Sequence, residues 1–144
     1  MQASEKGLAL IRSFEGLRLA AYRCPAGVAT VGYGSTKGVK MGDTITREDA
    51  DRLLCEDAQR FADHIDAVVK VPLTQNQIDA LVAFVYNIGP AAFAKSTMLK
   101  LINQRLFEDA ANQFLRWNRG GGQVLAGLTR RRIAERELFL RADK

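Results

Sequence analysis

The sequence predicts an α+β fold, predominantly α, in which a small β-containing lobe and a larger helical lobe are joined by one long helix. Three observations predict it. Apolar residues recur at helical spacing near both ends of the chain, residues 17 to 41 break into short β-like pieces punctuated by Gly and Pro, and a long helical pattern follows from Thr46. With 144 residues, 47% of them apolar, the chain is large enough for a single domain with a sizeable core. Its expected parts are an N-terminal helix and β lobe over about 1–45, a connecting helix over about 46–70 and a helical lobe over about 71–144.

The elements follow in order. Ser4 is placed to cap a helix from about Glu5 to Glu15, along which Leu8, Ile11 and Phe14 recur at helical spacing, and Gly16 is a natural stop. A small antiparallel sheet comes next: Leu19 to Arg23, a Cys-Pro-Ala-Gly turn, Val28 to Tyr33, and a third short piece after Gly34 to Gly38. Thr46 with Asp49 makes a partial capping box for the long helix, about six turns with Leu54, Phe61, Ile65 and Val68 on one side. Pro72 ends it, and Thr74 with Gln77 opens the apolar helix Gln75 to Ile88, which stops at Gly89-Pro90. Ser96 or Thr97 starts a helix to about Asn103, and Phe107 to Trp117 forms another. The Gly120-Gly121-Gly122 run then breaks the pattern before a last helix from about Thr129 to Leu140.

Composition narrows the function classes. The longest apolar run, ALVAFVY from Ala80 to Tyr86, is far short of the roughly 18 residues of a transmembrane helix, and no export signal is recognisable at the N-terminus. One histidine, His64, read as a surface residue, and two cysteines without CxxC spacing leave no usual metal set, so neither a metal nor a cofactor is expected. Lone cysteines most often mean reduced thiols, with a Cys24–Cys55 disulfide as the alternative. The net charge of +5 is C-terminal: residues 1–115 hold 13 basic and 13 acidic side chains, residues 116–144 hold 8 and 3. Such a patch favours a polyanionic partner. The run Arg130-Arg131-Arg132 reads as a solvated face with one member anchored to an acid. No aromatic platform accompanies it, so specific nucleic-acid binding is not expected. Trp117, Phe114 and Leu115 read as core of the helical lobe rather than a sugar-stacking platform.

The residues that carry chemistry are Glu15, Cys24 and Thr30: a Glu, eight residues, a Cys, five residues and a Thr. Glu15 falls in the last turn of its helix, where the partial negative charge of the helix end opposes ionisation of a carboxylate, as a general acid requires. Cys24, just before Pro25, and Thr30, on the following strand, are placed to supply the second function that glycoside hydrolysis needs across the sugar ring. Thr30 shares a strand face with Gly32 and Gly34, and that bare face suits a substrate floor. The same spacing also fits a solvated Glu, an ordinary strand Thr and a small core Cys.

The segment FEGLRLAAYRCPAGVATVGYGST resembles the active-site segment of the phage-type lysozymes, the endolysins of glycoside hydrolase family 24, whose catalytic set is Glu, eight residues, Asp or Cys, five residues and Thr. ITREDADRLLCEDAQRF resembles that family's interlobe helix, ALVAFVYNIGPAAFAKSTMLKLIN its Phe-x-x-Asn-x-Gly helix, and FLRWNRGGGQVLAGLTRRRIAERELF its C-terminal segment. The resemblance implies a lysozyme-like muramidase that cleaves the β-1,4 bond between N-acetylmuramic acid and N-acetylglucosamine in peptidoglycan glycan strands, causing host lysis. Glu15 would then be the general acid, with Cys24 and Thr30 positioning or activating the attacking water. Gly32, Asn87 and Arg130 would contact substrate, with one arginine of Arg130 to Arg132 near Glu15. The expected enzyme is a monomer held to anionic wall or membrane by its basic patch. It is made in the host cytoplasm and acts on the wall in the periplasm, reaching it through a phage membrane pore or by way of a membrane segment upstream of Met1.

Two departures from the family pattern stand out. Cys24 replaces the commoner Asp, and a thiol of ordinary pKa about 8.5 is mostly protonated at neutral pH unless its surroundings help. Arg23 points to the opposite strand face. A thiolate acting as base predicts activity rising on the alkaline side, and an active-centre thiol also permits oxidative blocking. Ser35 stands where many members have a His in a structural ion pair, and is expected to substitute a hydrogen bond with little effect on catalysis.

Overall fold

The computed structural model describes residues 1–142. Helix α1 (Glu5–Glu15) leads through Gly16 into strands β1 (Arg18–Arg23) and β2 (Ala29–Gly32). Helix α2 (Arg47–Val68) then crosses the molecule, followed by α3 (Gln75–Ile88), α4 (Pro90–Ala94), α5 (Thr97–Asn103), α6 (Phe107–Gln113), a 3-10 turn (Phe114–Arg116), the short strands β3 (Arg119–Gly120) and β4 (Gln123–Val124), and α7 (Ala126–Leu140). The predominantly helical α+β class follows the sequence prediction.

Helix α3 is the axis of the core. Every residue from Asp79 to Val85 is buried, because α1, α2 and α7 pack around it. Ile11, Leu54, Ile65, Met98 and Phe139 close on it from those elements and from α5. Phe84 stands edge-on to Phe114 at 5.0 Å and to Trp117 at 5.8 Å, geometries that favour aromatic pairs beyond the area they bury. Leu115, expected with them, is 42% exposed, since the 3-10 turn carries its side chain outward.

Both predicted capping boxes form. Thr46 accepts from the Asp49 N–H and Asp49 accepts from the Thr46 N–H; Thr74 and Gln77 do the same. Ser96, not Thr97, caps α5. Ser4 holds the N-cap position of α1 but turns its hydroxyl and backbone N–H to the buried Asp79 carboxylate of α3, the N–H at 2.7 Å. Gly7 lets α1 lie this close: a Cβ there would stand 2.9 Å from Asp79 Oδ1.

Strands β1 and β2 pair antiparallel with Tyr22 opposite Thr30, but the register shifts between Arg18 and Tyr22. The extra residues of that bulge bond the other way, Ala21 N–H to the Asp43 carbonyl (2.9 Å) and the Leu19 carbonyl from Ile45 N–H (2.8 Å). The third predicted strand is therefore an isolated bridge at Thr44. The Gly120 to Gly122 run does more than break a helix. Gly121 and Gly122, both at positive φ, form the two-residue turn between β3 and β4, so α7 begins at Ala126 rather than Thr129.

Candidate active site

Glu15 ends α1 where the helix meets a cavity of about 660 Å³. Asn87 of α3 and Gly127, Leu128, Arg130 and Arg131 of α7 line the same cavity, with Phe14 and Leu125 as apolar rim. Phe14, one of the apolar residues that recur at helical spacing along α1, is 36% exposed and lies under the Arg131 guanidinium at 5.7 Å. The cavity thus brings together three residues singled out from sequence: Glu15, Asn87 and Arg130.

One of the three consecutive arginines does approach Glu15, and it is Arg131. Its Nη1 donates to Glu15 Oε2, its Nη2 to the Ala83 carbonyl at 2.9 Å, and its Nε to Glu135 Oε2 at 3.2 Å. Arg132 extends the network: Nη1 donates to Glu135 Oε1, Nε to the Trp117 carbonyl (2.9 Å), and Nη2 to Asn87 Oδ1. Arg131, Arg132 and Glu135 are all buried. Only Arg130 of the run meets solvent, which corrects the expected solvated face: two of its cations are neutralised inside the fold. Burial pushes the Glu135 carboxyl up and the Arg132 guanidinium down from their ordinary values, each partly offset by the other's charge.

From the β lobe, Gly34 reaches Glu15. A Cβ on Gly34 would lie 3.4 Å from Glu15 Oε1, and its φ of +94° suits glycine. The turn is closed by mutual hydrogen bonds of Val31 and Ser35, both 2.9 Å. It is also braced by the Tyr86 hydroxyl, which donates to the Tyr33 carbonyl at 2.7 Å. Burial, then the charges of Asp57 and Glu15, push the Tyr86 phenol well above its ordinary range, so it remains a neutral donor. Ser35 is buried and donates to Asp57 Oδ2 at 2.6 Å, the hydrogen bond expected in place of an ion pair.

Cys24 and Thr30 meet at the turn end of the β1–β2 hairpin. The backbone N–H groups of Val28 and then Ala26 hold the Cys24 thiol below its ordinary pKa, with the Thr30 hydroxyl adding to them. Thr30 is 3% exposed and also bonds the Val28 carbonyl at 2.8 Å. Both cysteines are free. Neither Cys24 nor Thr30 lines the cavity at Glu15, but the strand bearing Thr30 runs directly into the Gly34 turn beneath the acid.

Gly32 lies elsewhere. At φ +66° it ends the pleat, so the alternation that would put it on the Thr30 face stops, and its open side meets Ala50 and Ile45 at 3.5 Å. It is a packing glycine that seats β2 on α2, and Gly34 occupies the position under the acid. Sequence reasoning also passed over Glu135, although Arg131, Arg132 and Glu135 at helical i, i+3 and i, i+4 spacing are the signal of an intrahelical ion-pair cluster. Among the described residues no cluster of His, Cys, Asp and Glu fits a metal, and no helix is long and apolar enough to cross a membrane.

The profile of the phage lysozyme family matches residues 12–135. The endolysin of Acyrthosiphon pisum secondary endosymbiont phage 1 is 46% identical over 143 residues, covering 96% of this chain and 98% of that one. The endolysin of Bacillus phage B103 is 45% identical over 99% of this chain, which spans 56% of that longer protein. Among solved structures, the muramidase domain of SpmX from Asticaccaulis excentricus superposes with a TM-score of 0.92 at 43% identity, covering 98% of this chain and 99% of that one.

Proposed function

Because the chain belongs to the phage lysozyme family and is, with it, a peptidoglycan-degrading glycosidase, we propose that Glu15 is its general acid, protonating the leaving oxygen of the β-1,4 bond between N-acetylmuramic acid and N-acetylglucosamine. The observation that carries this reading is the place of Glu15: a carboxylate at a helix C-terminus, opening into a cavity that also presents Asn87 and Arg130, and held by a buried arginine. Cys24, its thiol favoured as thiolate by two backbone N–H groups, acts with Thr30 on the attacking water. Asn87 and Arg130 contact the glycan.

The enzyme works as a monomer without a cofactor. Arg116, Arg119, Arg130 and Arg141 remain exposed and supply the basic surface that keeps it on anionic wall polymer. It acts in the periplasm after release from the cytoplasm in which it is made. The test is turbidity loss of outer-membrane-stripped bacteria. Glu15→Gln is expected to fall at least about a hundredfold below wild type, the scale of a lost general acid, and a fully active Glu15→Gln overturns the assignment.

A further inference from the structure

We propose that Glu135 is a positioning residue for the cleft: its two carboxylate oxygens fix Arg131 and Arg132 so that one guanidinium is presented to Glu15 and the other to Asn87. This rests on the reading of Glu15 as general acid.

The geometry assigns the role. On α7, Glu135 lies four residues after Arg131 and three after Arg132, on one face of the helix, and all three are buried. Glu135 divides its oxygens, Oε2 to Arg131 Nε and Oε1 to Arg132 Nη1. Each guanidinium has one further backbone tether, Arg131 to the Ala83 carbonyl and Arg132 to the Trp117 carbonyl, both at 2.9 Å. A planar fork held at two edges has one edge left to offer. For Arg131 that edge meets Glu15, and for Arg132 it meets Asn87, which stand on different helices and line the same cavity. A buried carboxylate needs several donors whatever its role. This one places a chemical group and a cleft-wall amide together, so its loss should act on turnover and on substrate affinity at once.

The experiment measures kcat and KM on solubilised glycan strands, per folded molecule as judged by near-ultraviolet circular dichroism, for wild type, Glu135→Gln, Glu135→Asp and Glu15→Gln. Glu135→Gln is expected to lose up to about a hundredfold in kcat, the scale of a catalytic group displaced by about 1 Å, and to raise KM. Glu135→Asp, which keeps the charge but shortens its reach, is expected to recover part of both. Wild-type kcat and KM in folded Glu135→Gln would overturn the inference, as would failure of both Glu135 variants to fold, which would make the residue structural only. An active Glu15→Gln would instead remove the reading beneath it, so the two failures are told apart.

Discussion

The Arg131 guanidinium donates to Glu15 from 116 residues further along the chain, and the arginine is buried while the carboxylate keeps an open side to the cavity. A lysine cannot reproduce the three-way grip. Arg131→Lys is expected to leave the Ala83 carbonyl or Glu135 short of a donor, at a cost of about 1–3 kcal/mol, and to lower lysis several-fold. Chemical denaturation and the turbidity assay measure the two effects, and an unchanged rate would show that the contact does not place the acid.

Gly34 and Gly38 make a matched pair. Both have positive φ, +94° and +70°, so alanine at either strains the backbone by about 1–3 kcal/mol. A Cβ at Gly34 meets Glu15, whereas one at Gly38 meets nothing within 4 Å. Gly34→Ala should therefore lose stability and specific activity, and Gly38→Ala stability alone. Equal activity per folded molecule in the two variants would remove Gly34 from the site.

The Cys24 thiol is held below its ordinary pKa by the Val28 and Ala26 N–H groups. Thiolate is the form that alkylates, and its fraction grows with pH. In a Cys55→Ser background the iodoacetamide rate should thus rise with pH through a midpoint below that of a free thiol measured in the same buffer. Lytic activity should climb through the same midpoint, and Cys24→Ser should flatten that limb. A labelling midpoint at or above that of the free thiol would refute the hydrogen-bonded thiolate.

Ser35→Ala removes the 2.6 Å bond to Asp57, whose other oxygen keeps Arg60 at 3.1 Å. The expected loss is about 1 kcal/mol, a fall in Tm of roughly 2–4 °C for a chain of this size, with lytic activity unchanged. A large drop in activity would give Ser35 a part in catalysis.

Local signals served the reading of the sequence well. The capping boxes at Thr46 and Thr74, the stop at Gly16 and the hairpin around Pro25 to Val28 each depend on neighbours within a few residues, and each is visible in the chain. What escaped depends on partners far away. Ser4 looked like a cap until Asp79, 75 residues distant, claimed its hydroxyl. Gly32 looked like cleft floor because strand alternation was extended through a residue whose positive φ ends it. The arginine run looked solvated because nothing local tells that Glu15 and Asn87 converge on it, although its local partner Glu135 stands in the chain at ion-pair spacing.

The peg of Ser4 on Asp79 and the stop at Gly16 bracket α1 at both ends, so the angle at which Glu15 leaves the helix is determined by how many residues lie between them. Inserting or deleting a single residue there would turn the acid by about 100° around the helix axis, away from Arg131 and Gly34, without altering any side chain of the site. The length of this segment is therefore as much a part of the inherited chemistry as the identity of the glutamate, and the segment should accept substitutions far more readily than it accepts a change in length.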